Sequence, residues 1–264
     1  MRLFIAGQKA FGAAVFEMAR KKGHEIAGVS APLFAVTPAT TGEPLPDRLR
    51  AAAEAAGVPW MPAGSLRAET LPERIDVILS AHSHDYIGRN TLLRAAAGAI
   101  GFHPSLLPLH RGRDAVRWAV HNRERVTGGS IYRLTDNVDA GPVLAQEHVF
   151  IRPDDTAESL WRRELFPLGV RLFARVLDDL AVAAGARCLE DAIGWGTPQD
   201  EALATWEPSW GRAPLHRPDL LLLPAPRPLP PQDEDDGVAE SAAAHVRAVG
   251  RFLHAREAHV LGLG

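Results

Sequence analysis

The sequence has little cysteine: Cys188 is the only one among 264 residues. An intramolecular disulfide and a metal cluster held by several thiolates are therefore excluded, and a cytoplasmic setting is expected. Long apolar runs are also missing, since none reaches the length needed to cross a membrane. The opening MRLFIAG lacks the charged-then-apolar layout of a signal peptide. These absences predict a soluble globular protein without a membrane partner.

An excess of positive charge is absent as well. Lysine and arginine total 29 against 32 aspartate and glutamate residues, which gives a formal net charge of −3 at pH 7. Nucleic acid is therefore an unfavoured partner. What the chain has is a hydrophobic fraction of 46%. That content, at this length, suffices for one large domain or for one domain plus an appendage.

Strand and helix signals alternate in the first third of the chain. Residues 2–7 form an apolar strand, residues 13–22 a helix that ends at Gly23, and residues 24–32 the next strand. Residues 75–80, IDVILS, are apolar on both faces and indicate a central parallel strand. The order predicts an α/β fold, a Rossmann-like, mostly parallel twisted sheet with helices on both faces.

A histidine lies at the carboxyl end of a later predicted strand. In AIGFHPSLLPLHRGRD (residues 99–114) the apolar opening is a short buried strand, and Pro104 and Pro108 prevent it from continuing. His103 therefore lies where the strand gives way to a loop, which is where open α/β sheets carry their chemistry. A structural histidine that only hydrogen-bonds the loop is the alternative.

An aspartate lies in a turn between the next two predicted strands. The run GGSIYRL (residues 128–134) is followed by the turn-forming TDNVDAGP and then by VLAQEHVFI (residues 143–151). Asp139 belongs to that turn. A carboxylate there can orient an imidazole and stabilise its protonated form, so His103 and Asp139 together are predicted to handle a proton.

The two segments HPSLLPLHRG and VDAGPVLAQE, in this order and spacing, resemble the folate-dependent formyltransferases. The resemblance covers roughly residues 1–210, and it implies transfer of the formyl group of 10-formyltetrahydrofolate to an amine. The family's catalytic set is an asparagine, a histidine two residues later and an aspartate on the downstream loop. His103 and Asp139 match the last two, whereas Gly101 stands at the asparagine position.

Gly101 matters because attack on a formyl carbon produces an oxyanion that needs hydrogen-bond donors. Loss of one such donor typically costs about a hundred- to a thousand-fold in rate. Three alternatives remain open: a slower or rewired transferase, a hydrolase in which water replaces the amine, and a folate or metabolite binder without turnover. The retained His103 and Asp139 argue against the binder.

The resemblance also implies where the reduced folate binds. Asp85, Tyr86 and Ile87 are expected to line one wall of the pterin pocket, against an exposed loop with one buried isoleucine as the alternative. The opposite wall is expected from Thr135, Asp136 and Val138. A metal site built from His82, His84 and Asp85 is disfavoured because the ligand set is incomplete, so no metal is expected.

Two arginines just before a predicted helix at residues 114–122 are candidates for the acceptor. Arg111 and Arg113 are placed to clamp a phosphate or carboxylate of the substrate. The alternative is that one of them pairs with Asp114, the expected helix cap.

The last part of the chain is predicted to close the domain and then extend beyond it. Asp155 and Glu158 resemble a capping box at the start of a long helix that Pro167 should kink or divide. Residues 197–214 resemble the closing segment of the family's catalytic domain, with Trp206 and Trp210 as packing anchors.

The catalytic domain is assigned to residues 1–210 and the extension to residues 211–264. The extension comprises a Pro-rich, acidic linker and a helix at residues 238–259. Relatives that formylate initiator tRNA carry a basic β-barrel at this point. The expected acceptor is therefore a small-molecule amine rather than tRNA.

Overall fold

The computed structural model describes residues 1–35, 45–185 and 196–210. A seven-stranded sheet runs through it, in the order β3-β2-β1-β4-β5-β6-β7. The strands are β1 (Arg2–Gly7), β2 (Glu25–Ala31), β3 (Trp60–Pro62), β4 (Val77–Ala81), β5 (Ala99–His103), β6 (Val126–Arg133) and β7 (Val143–Phe150). The helices are α1 (Lys9–Lys21), α2 (Arg48–Ala55), α3 (Arg89–Leu92), α4 (Ala115–His121), α5 (Ala157–Leu160) and α6 (Phe166–Gly185).

Strands β1 to β5 are parallel, and β6 is antiparallel to both of its neighbours, β5 and β7. The predicted mostly parallel, Rossmann-like sheet is confirmed, including the central position of β4 between β1 and β5. The strand order reverses direction between β1 and β4. The carboxyl ends of β1, β4 and β5 therefore open onto one crevice, the usual position of a site in such sheets.

The two faces of the sheet are covered differently. One face packs against α1, α2 and α6, with Phe11, Leu49 and Phe173 among the fully buried side chains. The other face is covered by the segment between residues 64 and 98, in which the single turn of α3 is the only helix. Helices thus lie on both faces, as expected, but in the segment that covers the second face the helix is only the short α3.

Helix α1 begins at Lys9 rather than at the expected residue 13. Gly12, which weakens a helix in isolation, lies inside it because Leu49 of α2 packs closely there: a β-carbon at Gly12 would lie 3.2 Å from Leu49 Cδ2. The helix ends as predicted, before Gly23 at a φ of 79°.

The helical region after β7 differs from the sequence prediction in two details. Thr156 and Ser159 form the capping box, because the Asp155 carboxylate instead accepts a hydrogen bond from the Arg152 N–H at 2.7 Å. The interruption before Pro167 takes the form of a π-helix, Trp161–Leu165, which separates α5 from α6. Pro167 therefore lies in the first turn of α6, where the missing N–H is tolerated.

The strap, defined as residues 197–210, crosses the loop that follows β5. Trp210 is buried and packs edge-on against Trp118 with ring centroids 4.9 Å apart, as an anchor should. Trp206 is 53% exposed, and its ring packs on the Arg111 guanidinium, 5.9 Å away, and next to Gly112. Asp114 precedes α4 without capping it, because its carboxylate accepts from the Trp210 N–H at 3.0 Å.

The predicted linker and the helix at residues 238–259 lie outside the described residues. Among the described helices, none is long and apolar enough to cross a membrane.

Candidate active site

The fold brings His103 and Asp139 together. His103 is the last residue of β5, and Asp139 lies in the turn between β6 and β7. The Nδ1 atom of His103 is 3.5 Å from Oδ2 of Asp139, and both side chains are about nine-tenths buried. The pair predicted from the sequence is thus present at the carboxyl end of the sheet.

Each ring nitrogen of His103 faces an acceptor. Nε2 donates to the main-chain carbonyl of His110 at 2.7 Å, since a carbonyl oxygen can only accept. Nδ1 faces the Asp139 carboxylate at a separation longer than an ordinary hydrogen bond of about 2.7–3.2 Å. The ring is therefore fixed through Nε2, while an N–H at Nδ1 has room for a further acceptor.

Asp139 is held by donors from two other elements. Oδ2 accepts from the main-chain N–H of Gly112 at 2.8 Å, and Oδ1 accepts from the hydroxyl of Tyr132 at 2.6 Å. The turn itself requires Gly141, because a β-carbon there would lie 1.7 Å from the carbonyl oxygen of Arg133. The carboxylate is consequently preorganised rather than free to turn.

Tyr132 is a member of the site that sequence reasoning missed. Its side chain is buried next to His103, with ring centroids 6.5 Å apart and the planes at 89°. Burial raises the pKa of the phenol well above its usual range, and the Asp139 carboxylate, which accepts a hydrogen bond from the phenol, raises it further. The available signal was the strand pattern, which places Tyr132 near the end of the strand that leads into the Asp139 turn.

Gly101 pairs with Tyr132 on β6 and with Ser80 on β4. A β-carbon at this position would lie 2.9 Å from Leu134 Cδ1 and 3.3 Å from Tyr132 Cε1. The space beside Gly101 is thus already filled by neighbouring side chains.

Arg111, on the loop after β5, joins this site to the strap. The guanidinium is buried and bonds to both carboxylate oxygens of Glu201 at 2.7 Å and to the Gln199 side chain at 2.9–3.0 Å. Its hydrogen bonds lower the pKa of the Glu201 carboxyl. The expectation that Arg111 clamps the acceptor is wrong because its donors are engaged internally.

Arg111 is not free to contact the acceptor and does not pair with Asp114, the two roles expected from the sequence. The partner that Asp114 takes is Arg117, at 3.3 Å, and Arg111 reaches the strap instead. Gln199 in turn donates to the carbonyl oxygens of Asp139 and Gly141 at 2.9 and 2.6 Å. Arg113 is exposed on the loop beside the site.

Comparison with known proteins agrees with this geometry. Residues 62–177, which contain β4 to β7 and both His103 and Asp139, match the family model described as formyl transferase. By this match, residues 62–177 belong to the formyl transferase family.

Two curated relatives match different shares of the chain. The mitochondrial 10-formyltetrahydrofolate dehydrogenase of Mus musculus is 31% identical over 217 residues, covering 78% of this chain and 22% of the relative. GDP-perosamine N-formyltransferase of Brucella melitensis is 39% identical over 97 residues, covering 37% of this chain and 38% of the relative. The chain thus spans about a fifth to two fifths of these relatives' lengths.

A solved structure shares the fold. The N-formyltransferase from Helicobacter canadensis, in complex with folinic acid and dTDP-3-aminofucose, aligns with a TM-score of 0.58 at 15% identity, covering 78% of this chain and 70% of that one. This likeness establishes the formyltransferase fold for the described sheet and helices.

The residues expected to form the first wall of a folate pocket divide between surface and core. Tyr86 is 63% exposed and lines a cleft of about 630 Å³ together with Asp85. The Asp85 carboxylate accepts from the main-chain N–H of Gly64 at 2.7 Å across that cleft. Ile87 is buried in the core of the second sheet face and lines neither cleft, so its side chain lies outside the expected wall.

The residues expected to form the second wall lie on the turn that ends at Asp139. Asp136 lines both the first cleft and a neighbouring cleft of about 750 Å³, and Thr135 lines the latter. Val138 is exposed on the same turn. Arg89, which also lines the first cleft, approaches Asp136 to 3.8 Å.

Two further histidines lie at the end of β4. The rings of His82 and His84 are 5.7 Å apart, and His82 also packs against Trp161. Burial, followed by the neighbouring His84, lowers the pKa of His82 to about 4. Within the described ranges no group of three His, Cys, Asp or Glu side chains is arranged to hold a metal ion.

Proposed function

We propose that this protein transfers the formyl group of 10-formyltetrahydrofolate to an amine of a small-molecule acceptor. The observation that carries the proposal is the buried pairing of His103 Nδ1 with Asp139 Oδ2 at 3.5 Å. The pair lies at the carboxyl end of a strand, where it is fixed from both sides. The match of residues 62–177 to the formyl transferase family supports the reaction type.

The proposed reaction uses the two side chains in different ways. The acceptor nitrogen attacks the formyl carbon, so a new C–N bond forms and the carbonyl electron pair moves to oxygen. An N–H at His103 Nδ1 stabilises that oxyanion. Asp139 takes the proton from the attacking nitrogen, directly or through a water, and returns it to the folate nitrogen as the original C–N bond breaks.

The two clefts support a reduced folate as the co-substrate. Their volumes fall within the usual range of about 300–1,000 Å³ for small-molecule sites. Asp85 and Tyr86 would contact the pterin from one side, and Thr135, Asp136 and Val138 from the other. Relatives named for 10-formyltetrahydrofolate, and one solved with folinic acid, support this class of ligand. No metal enters the proposed reaction.

The acceptor is proposed to be a small amine, with Arg113 as the side chain that contacts its anionic part. Two relatives support an amino sugar carried on a nucleotide, because one is named for GDP-perosamine and another was solved with dTDP-3-aminofucose. Nucleic acid is not proposed as a partner.

A second candidate function is hydrolysis of 10-formyltetrahydrofolate. Two observations favour it: the match over 78% of this chain to a 10-formyltetrahydrofolate dehydrogenase, and Gly101, which supplies no side-chain donor to the oxyanion. In this reaction water attacks the formyl carbon and Asp139 takes its proton. The proton passes to the folate nitrogen as the C–N bond breaks, which releases formate and tetrahydrofolate.

One experiment separates the two functions. Purified protein is incubated with 10-formyltetrahydrofolate, with and without a panel of amines that includes sugar nucleotides carrying an amino group. Tetrahydrofolate, formate and formylated amine are each quantified. Tetrahydrofolate formation that requires an amine and yields equal formylated product supports transfer, whereas equal formate without any amine supports hydrolysis. Absence of tetrahydrofolate under every condition would contradict both.

A further inference from the structure

The site as described has one side-chain donor too few for the proposed reaction. His103 Nε2 is used by the His110 carbonyl, and Gly101 has no side chain. Only an N–H at His103 Nδ1 is left for the oxyanion among the groups described so far. Enzymes that stabilise such an oxyanion usually present more than one preorganised donor.

We infer that the hydroxyl of Tyr132 is the second donor to the oxyanion, and that Gly101 makes room for it. This inference rests on the proposed formyl chemistry. Tyr132 Oη lies 2.6 Å from Asp139 Oδ1, the carboxylate that faces His103 Nδ1 through its other oxygen. Tyr132 and His103 thus approach the same carboxylate from two strands, and a group reacting there would meet both.

The fit between Gly101 and Tyr132 gives independent support. The two residues pair directly across β5 and β6, and their side-chain positions share one face of the sheet. A β-carbon at residue 101 would lie 3.3 Å from the ring of Tyr132, which is tighter than ordinary contact, before any longer side chain is considered. A donor reaching in from residue 101 and the present position of the Tyr132 ring therefore compete for the same space.

The proton balance accommodates this role. Before the reaction the Tyr132 O–H donates to the charged Asp139 carboxylate. When Asp139 takes the proton of the attacking nitrogen, its carboxyl becomes a weaker acceptor, and the phenol turns to the oxyanion formed at that moment. When the folate C–N bond breaks, Asp139 gives its proton to the folate nitrogen and Tyr132 donates to the carboxylate again.

Tyr132 keeps its own proton through the cycle. Burial and the adjacent carboxylate raise the pKa of the phenol, so it acts as a hydrogen-bond donor and not as an acid that ionises. No oxidant, reductant or further reactant is required.

The test begins with Tyr132→Phe, which removes the hydroxyl and keeps the ring. Single-turnover formyl release from 10-formyltetrahydrofolate is expected to slow by about a hundred-fold, with folate affinity within about two-fold of the unsubstituted protein. Thr127→Val is the matched control, because it removes another buried hydroxyl from the same strand. The control should release formyl at the original rate. A Tyr132→Phe rate within three-fold of the original would overturn the inference.

A double-mutant cycle distinguishes donation from a structural role. If Tyr132 acts on the oxyanion itself, Tyr132→Phe should slow formyl release by at least ten-fold in an Asp139→Asn background as well. If Tyr132 only holds Asp139, its substitution will cost nothing once the carboxylate is gone, and the inference is wrong. Failure of the proposed function is separately recognisable, because the unsubstituted protein would then release no formyl group.

Discussion

Two histidines lie at the carboxyl edge of the same sheet, His103 buried and His82 half-buried, and their surroundings differ. His103, at the end of β5, has a carbonyl oxygen at Nε2 and a carboxylate at Nδ1. His82, just after β4, packs against the rings of His84 and Trp161, and burial lowers its pKa to about 4. The first ring has an acceptor near each nitrogen, whereas burial and the neighbouring His84 favour the neutral form of the second.

The difference shows that position at a sheet edge is not enough to assign chemistry to a histidine. Acceptors around the ring decide whether it can work as a proton donor. His103 meets that condition because the turn carrying Asp139 folds back over β5. The contacts described for His82 are the rings of His84 and Trp161, and Lys9 adds a positive charge nearby.

The largest effect is expected from His103→Ala. Formyl release from 10-formyltetrahydrofolate should fall by about a thousand-fold or more, because the oxyanion loses its fixed donor, while folate affinity changes little. Stopped-time assays of tetrahydrofolate, with folate binding measured by calorimetry, check this. Turnover by the variant equal to that of the original protein would show that His103, like His82, has no role in formyl release, and would contradict the proposed difference between the two histidines.

A smaller effect, on stability, is expected at His82. The unfolded chain takes up a proton near pH 6.5, whereas folded His82 does so only near pH 4, so stability falls as the pH drops from 6.5 toward 4. The size of the loss is roughly 3 kcal/mol at the lower end. His82→Asn should flatten this part of the profile, because asparagine tolerates the φ of 62° and does not titrate.

Urea unfolding at several pH values measures the His82 effect. His148→Asn, at an exposed position on β7, is the matched control and should leave the profile unchanged. An unaltered slope in His82→Asn would mean that His82 is not held neutral by the fold.

The smallest effect is expected from the support behind His103. Arg111→Met keeps most of the buried volume but removes the bonds to Glu201 and Gln199, and it should lower the free energy of unfolding by about 2 kcal/mol. Because Gln199 also bonds the carbonyl of Asp139, formyl release should slow as well.

Glu201→Gln is the control for Arg111→Met, since Glu201 is largely exposed and glutamine can still accept one of the bonds. Thermal unfolding and formyl release are measured on both variants. If both variants were indistinguishable from the original protein, the strap would contribute nothing to the site.

Local sequence signals were sufficient for the part of the site that depends on strand ends and turns. Pro104 ends β5 after His103, and the turn-forming run around Asp139 fixes the second residue. Signals of this kind act over a few residues, so they can be recognised without knowledge of the packing.

Contacts between distant segments could not be predicted in this way. Arg111 meets Glu201 some 90 residues later, so nothing near Arg111 indicates that its charge is already paired. Tyr132 occupies an ordinary strand position, and its role depends on a register with Gly101 that only the folded sheet reveals. Ile87 was misplaced for the same reason, since its loop turns it into the core.

Asp139→Asn tests the central claim most directly, because it removes the charge and keeps the shape. The account predicts that the variant still binds reduced folate but releases the formyl group at least about a hundred-fold more slowly than the original protein. Release at the original rate would contradict the assignment of His103 and Asp139 as the pair that handles the proton.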